Sequence, residues 1–267
     1  MNSTVTAAAI REDFVRLHGH WDERLAALLE LSPGHFSAHA RLVAVPARNS
    51  ALSEKERHLV HLAVAVNATH MYAPGARHHM GAALDAGASP GEVLEVLQLV
   101  GTLGIHAILV GAPILEKVLA ELGMDDAGRL SARQEALKAE FTADRGFWNP
   151  DFDGLLRLAP DLFEAYVDYS AQPWRDGVLE PKVKELIYIS FDVAATHLHE
   201  PGIEQHVRNA LRHGASRDEI VAVMEISSML GTHAVLEGAT LLKEQLGTGE
   251  PARGACLDAA AEERTRA

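Results

Sequence analysis

The chain has 267 residues, 48% of them hydrophobic and 23% charged, with 24 Lys and Arg against 37 Asp and Glu for a formal net charge of −13. That is enough apolar material for one or two ordinary cores, and the acidic balance without a basic run excludes a nucleic-acid partner, whose phosphates need clustered Lys and Arg. The start "MNSTVTAAAIREDF" lacks a basic segment followed by a long apolar block, and no apolar stretch is read as reaching the roughly 18–20 residues of a membrane span, so a soluble cytoplasmic protein with no membrane partner is expected.

Scarce aromatics, abundant Ala and Leu, and long segments without Pro predict an all-α fold. Shifting the chain by 127 positions aligns Leu52–Lys117 with Leu179–Glu244 without a gap, and 25 of those 66 positions are identical. An internal repeat of this kind organises everything else. Upstream the match continues more weakly, pairing Phe14 with Phe141, Trp21 with Trp148, Leu28 and Leu29 with Leu155 and Leu156, Pro33 with Pro160, and Phe36 with Phe163. Each half therefore has a leader and a core. The expected domains are residues 1–125, 126–248 and a frayed tail at 249–267, the boundary lying in "LGMDDAGRLSARQ", where Gly, Asp and Ser break the apolar pattern. Cys256, the one cysteine, lies in that tail and rules out a disulfide within the chain.

Three helices are predicted in each core. The first opens on a capping box of Ser53 with Glu56, or on Pro181 at the first turn in the second copy, and runs to about Thr69 or Thr196. The second starts at Pro74 or Pro201 and stops at Gly87 or Gly214. The third opens on capping boxes of Ser89 with Glu92 and Ser216 with Glu219, and continues through Gly104 or Gly231 with a kink there.

Histidines recur selectively. His70 and His197, His79 and His206, and His106 and His233 are equivalent, whereas most of the other histidines face a different residue type 127 positions away. An imidazole can move a proton near neutral pH, hydrogen-bond a developing anion, or ligate a metal. It can also be a structural residue bonded to a main-chain carbonyl, which duplication would copy as readily. Three antiparallel helices are expected to gather the imidazoles of one half in a pocket.

The strings "AALDAGASPGEVLEVL" and "NALRHGASRDEIVAVM", each after a site loop and a histidine and before a Gly-containing helix, resemble the carboxymuconolactone decarboxylase and alkylhydroperoxidase D-like family. The resemblance covers residues 52–117 and 179–244. It implies a tandem duplication of an all-helical domain and assembly as a homo-oligomer, with a trimer favoured. The peroxidase branch carries Cys-x-x-Cys-x-x-x-His; here the cysteine positions hold Tyr72 and Gly75 before His79, and His199 and Gly202 before His206. Without a thiolate, peroxidase chemistry is excluded.

The decarboxylase branch implies a lyase, or a related hydrolase, that acts on a small organic acid or lactone and needs no cofactor. His197, His206 and His233 are its expected acid, base and oxyanion donors, with His199 in the rebuilt loop; His70, His79 and His106 form a second or vestigial site. The second loop is expected to be the more reactive, since it has His199 and Glu200 where the first has Tyr72 and Ala73, with Glu200 as the residue that orients His197 or His199. Two other readings stay open. One is a divalent metal such as zinc on His70, His79 and His106 or on His197, His206 and His233. The other is a non-catalytic helical module that binds a small ligand.

Overall fold

The computed structural model describes residues 6–124, 129–145 and 148–247, so the expected tail at 249–267 and Cys256 lie outside the described residues. Among the described residues there are fourteen α-helices, one 3-10 segment and no strand.

Two compact units are formed, one from residues up to 50 together with those from 228 onward, the other from residues 51–227. Their composition cuts across the sequence repeat. The first unit holds α1 (Ala7–His18), α2 (Glu23–Leu31), α3 (Pro33–Arg48) and α14 (Leu230–Gly247). Its core joins Phe14, Leu25, Leu28 and Phe36 of the first leader to Leu236 and Ala239 of the second copy's last helix. An ion pair between Arg24 and Glu237, at 2.7 Å, ties the same elements.

The second unit holds α4 (Glu54–Val66), α5 (Ala73–Asp85), α6 (Pro90–Val100), a 3-10 segment (Gly101–Ile105), α7 (His106–Glu121), α8 (Ala132–Arg145), α9 (Phe152–Leu158), α10 (Pro160–Arg175), α11 (Pro181–Asp192), α12 (Glu200–Arg212) and α13 (Arg217–Ser228). The exchange seen in the first unit recurs here. Ile105 at the end of the 3-10 segment and Leu109 in the first turn of α7, the first copy's last helix, pack on Phe141, Leu155, Leu156 and Phe163 of the second leader. Each leader thus packs against the last helix of the other copy, and the aromatic pairs legible in the sequence meet in both: Phe14 lies 6.0 Å from Trp21, and Phe141 lies 5.6 Å from Trp148, both edge to face.

Helix starts follow the sequence reading. Ser53 with Glu56 and Ser89 with Glu92 form complete capping boxes, Pro181 occupies the first turn of α11, and Ser216 and Glu219 exchange the same pair of bonds. Helix ends depart from it. The first helices stop at Val66 and Asp192 rather than near Thr69 and Thr196, because a turn intervenes. Asn67 accepts from the N–H and hydroxyl of Thr69, and the N–H groups of His197 and Leu198 both turn back to the carbonyl of Ala194. Met71 and Leu198, equivalent in the repeat, then adopt φ of 49° and 50°. That left-handed conformation costs a non-glycine residue about 1–2 kcal/mol, so surrounding contacts must hold it.

The third helix is interrupted, not merely kinked. In the first copy α6 gives way to the 3-10 segment three residues before Gly104, and in the second the α-helix breaks at Met229 between α13 and α14. The expectation that no run is long and apolar enough to span a membrane needs correcting too. Pro90–Glu121 and Arg217–Gly247 meet that test by length and composition, with mean hydropathy 1.9 and 1.3. Half of the first window is buried inside the protein, which accounts for its apolar character as core.

At the centre of the second unit lies α11, in which every residue from Val183 to Asp192 is buried. Leu186, Ile187, Ile189 and Phe191 are all but inaccessible, and burial of each such side chain contributes about 1.5–3 kcal/mol. A buried ion pair fixes the helix. Lys184 lies 2.8 Å from Glu95 of α6 and donates to the carbonyl of Pro173, while Glu95 accepts from the backbone N–H groups of Val178 and Leu179 at 2.6 and 2.8 Å. Gly177 lets this strap close: a Cβ there would stand 2.1 Å from the Pro173 carbonyl oxygen and 2.2 Å from the Glu95 carboxylate.

Candidate active site

Three residues of α11, one turn apart, supply one wall of the site: Glu185, Tyr188 and Asp192. Opposite them α12 presents His206, one and a half turns into the helix as its spacing from Pro201 requires. His206 Nδ1 is 2.6 Å from Glu185 Oε2, and its ring stacks on Tyr188 with centroids 4.4 Å apart. Since the carboxylate can only accept, Nδ1 carries the proton and Nε2 is left as the reactive nitrogen. Asn209, one turn further along α12, donates to the other Glu185 oxygen at 3.3 Å.

The turn after α11 supplies His197 and His199, and α7 supplies His106. His106 Nδ1 is 2.6 Å from His197 Nε2, and the His106 ring stacks on His199 at 3.8 Å. Asp192 completes the group: its Oδ1 is 3.8 Å from His106 Nδ1 and 3.9 Å from His197 Nε2. One ligand atom from each of His106, Asp192, His197 and His199 lies within 4.8 Å of all the others. Asp192 has a fully buried side chain, neither oxygen of which receives a hydrogen bond. Gly202 permits that approach, because a Cβ on it would sit 2.3 Å from Asp192 Oδ2 and 2.6 Å from His199 Nδ1.

Burial sets the protonation states. It pushes the Asp192 carboxyl up to about 7, an effect opposed by His206 and reinforced by Glu185. It takes the His106 imidazole down to about 3, helped by the neighbouring rings of His199, His197 and His206. Burial likewise holds His197 and His199 below their ordinary 6.5. At neutral pH these three rings are uncharged.

A cavity of about 570 Å³ opens beside these groups. His106, His199, His206 and Glu185 face it, Phe152, Tyr188 and Phe191 give it an apolar wall, and Arg212 is the cationic side chain on its lining.

His106 therefore lies with His197 and His199 of the second copy, and not with His70 and His79 of its own. Helix exchange is the reason, since α7 leaves its own core to pack on the second leader. His79 instead lies 3.1 Å from His58 between ring nitrogens and stacks on His61 at 4.3 Å. The His70 ring is half-buried next to Tyr72, and its pKa is lowered by that burial. His233 belongs to α14 in the other unit. Glu200, expected to orient His197 or His199, is exposed in the first turn of α12, and Glu204 pairs with Arg208. The carboxylate that holds a site histidine is Glu185. Neither it nor Asp192 emerged from the sequence, although the repeat marks both: they stand opposite His58 and Ala65.

The chain is thus an all-helical tandem in which a histidine and a carboxylate of the second copy face a cavity. The chain belongs to the carboxymuconolactone decarboxylase family, whose model matches residues 35–117 and again 160–244. It is similar to a crystal structure from Burkholderia xenovorans LB400 described as "a putative gamma-carboxymuconolactone decarboxylase subunit", with 45% identity over 91% of this chain and 98% of that one and a TM-score of 0.85. No curated protein matches it.

Proposed function

We propose that the chain is a lyase that removes carbon dioxide from a small acidic lactone in the second-copy cavity, with His206 as the proton donor. The observation that carries this reading is the 2.6 Å pair of His206 with the buried Glu185 on the wall of a cavity of substrate size.

Arg212 pairs with a carboxylate that stays on the substrate. The carboxylate that leaves sits against Tyr188, Phe191 and Phe152, where poor solvation favours neutral carbon dioxide over the charged group. The bond to that carboxylate breaks and its electron pair moves into the conjugated carbonyl as a dienolate. His199 accepts the Gly202 N–H on Nδ1 at 3.2 Å, so its own proton is on Nε2, available to the dienolate oxygen. His206 delivers a proton from Nε2 to carbon, while the Glu185 carboxylate holds the Nδ1 proton and compensates the charge of the doubly protonated ring. One proton is consumed per carbon dioxide released, and solvent at the cavity mouth resupplies it.

The test is incubation of pure protein with γ-carboxymuconolactone and related ring-cleavage acids, following carbon dioxide release. Turnover that falls by at least about 10²-fold in His206→Ala supports the assignment. Equal turnover by both proteins, or none by the wild type on any such acid, removes it.

A further inference from the structure

We propose that His106 Nδ1, His197 Nε2 and Asp192 Oδ1 form a binding site for one divalent first-row transition ion of the zinc type. The inference goes beyond the lyase reading and does not depend on it, since the proposed proton transfers use Glu185, His206 and His199.

The geometry fits a metal. Bonds of about 2.0–2.1 Å in a tetrahedral arrangement require ligand atoms roughly 3.3 Å apart. The three edges of this triangle are 2.6, 3.8 and 3.9 Å. They bracket that value, so side-chain rotations that change each edge by about 0.5–0.7 Å suffice. In the metal-free protein the shortest edge is a proton shared between two imidazoles. A cation takes the place of that proton and uses both lone pairs. Two nitrogens and one carboxylate oxygen, with no thiolate, suit borderline ions better than calcium or magnesium. His199, whose ring stacks on His106 at the cavity wall, offers a further ligand atom within 4.8 Å of these three.

The second, independent observation is Asp192 itself. A fully buried carboxylate without a single hydrogen-bond donor is costly unless it takes up a proton or a cation compensates it, and the converging imidazoles favour the cation. No Lys or Arg is within ion-pairing distance of it among the described residues; the groups that approach are His106, His197 and His206.

The repeat supplies an internal control. In the first copy Asp192 is replaced by Ala65 and His199 by Tyr72, and the backbone is otherwise reproduced, down to the left-handed residue and the close-packed glycine. Around Gly75 the neighbours are the Tyr72 ring and the Ala65 methyl, where Gly202 has His199 and Asp192. The helix and turn therefore form without a carboxylate at this place. Asp192 is dispensable for building the motif, which leaves the three converging ligands to be explained by what they bind. One ion per chain follows.

The experiment uses untagged full-length protein, stripped with a chelator and titrated with Zn(II) and with Co(II). Elemental analysis after dialysis reads the stoichiometry, and Co(II) visible absorption reads the coordination. Wild type is expected to retain one ion per chain with the absorption bands of nitrogen and oxygen ligation in a low-coordinate site. Asp192→Asn, nearly isosteric, and His197→Ala are expected to lose affinity by more than the roughly 10–100-fold that outer-shell substitutions cost. A His61→Ala, His79→Ala double variant in the first-copy imidazole cluster is expected to retain the ion. Circular dichroism checks that each variant is folded, and the Co(II) spectrum of the wild type stands even if one is not. Less than about a tenth of an ion per reconstituted wild-type chain overturns the proposal. So does undiminished binding by folded Asp192→Asn, or loss of the ion in the His61, His79 double variant. Because metal content is measured without turnover, failure here and failure of the lyase reading are separate results.

Discussion

Replacing Lys184 by Met puts the central ion pair to the test. The substitution keeps the side chain's length and apolar stem, and removes the ammonium from a position where the Lys side chain is 4% and its Glu95 partner 2% exposed. What remains is a Glu95 carboxylate held only by the N–H groups of Val178 and Leu179, together with a Pro173 carbonyl that has lost its donor. Leaving one partner of a buried pair uncompensated costs about 3–5 kcal/mol. The two backbone bonds to Glu95 place the expected loss near the lower end, about 3 kcal/mol. Glu95→Gln keeps an oxygen for those two N–H groups but sets an amide against the ammonium, for a loss of similar size. In the double variant the amide can donate to Pro173, so its loss is expected to fall below the sum of the singles by about 2–3 kcal/mol. Equilibrium unfolding in urea, followed by tryptophan fluorescence, measures all four corners of the cycle. Single losses under about 1 kcal/mol, or strict additivity, would refute the reasoning that this pair sets the position of α11.

Four further outcomes are expected. Glu185→Gln should lower kcat of the proposed reaction by about 10²–10⁴-fold with little change in KM, because it frees the His206 ring without touching the substrate; steady-state kinetics read the split. Gly202→Ala should destabilise by about 1–3 kcal/mol and displace Asp192 and His199, a loss visible in thermal unfolding and in Co(II) binding. Gly177→Ala should do comparable damage through Pro173 and Glu95, seen as a lower Tm with the far-UV spectrum retained. Lys182→Met concerns pH. Burial alone would raise the carboxyls of Glu219 and Glu56, but the bonds and charge of Lys182 together with bonds from Ser216 to the one and from Ser53 to the other outweigh it in sum and hold both below 4.5. Groups lowered in the folded state stabilise it above about pH 4.5 and lose that contribution as pH falls through their folded values. Wild type should therefore exceed the variant by about 1 kcal/mol at pH 7, with the gap closing below pH 4.5; a gap that persists to pH 3 in denaturant titrations counts against the Lys182 network.

What was legible in the sequence follows from how local each signal is. Capping boxes, the proline at the start of α11 and the glycine stops depend on neighbours within a turn, and these hold. Helix ends are less local than they look, because Asn67 and the Ala194 carbonyl divert the chain into turns that apolar periodicity does not register. Of the histidines singled out in the sequence, His197, His199 and His206 lie around Asp192, while His70, His79 and His233 lie elsewhere. Their partners escaped notice for a different reason. Glu185 and Asp192 sit inside an apolar helix whose pattern reads as core, and one site histidine comes from a copy of the repeat that covalent order separates from the others. Exchange of the last helices is a long-range choice of packing partner, and nothing in local spacing encodes it.

That exchange makes the two copies mutually dependent. The second copy owns Glu185, Asp192, His197, His199 and His206, yet the imidazole that completes its cluster arrives from the first, on a helix whose apolar face is covered by the second leader. What two separate polypeptides would have to achieve by meeting in solution is here a property of one chain. Mutations that loosen α7 from Phe141 and Leu155 should consequently read out as defects in the chemistry proposed for the opposite half, and variants that test it should not stop at the residues that line the cavity.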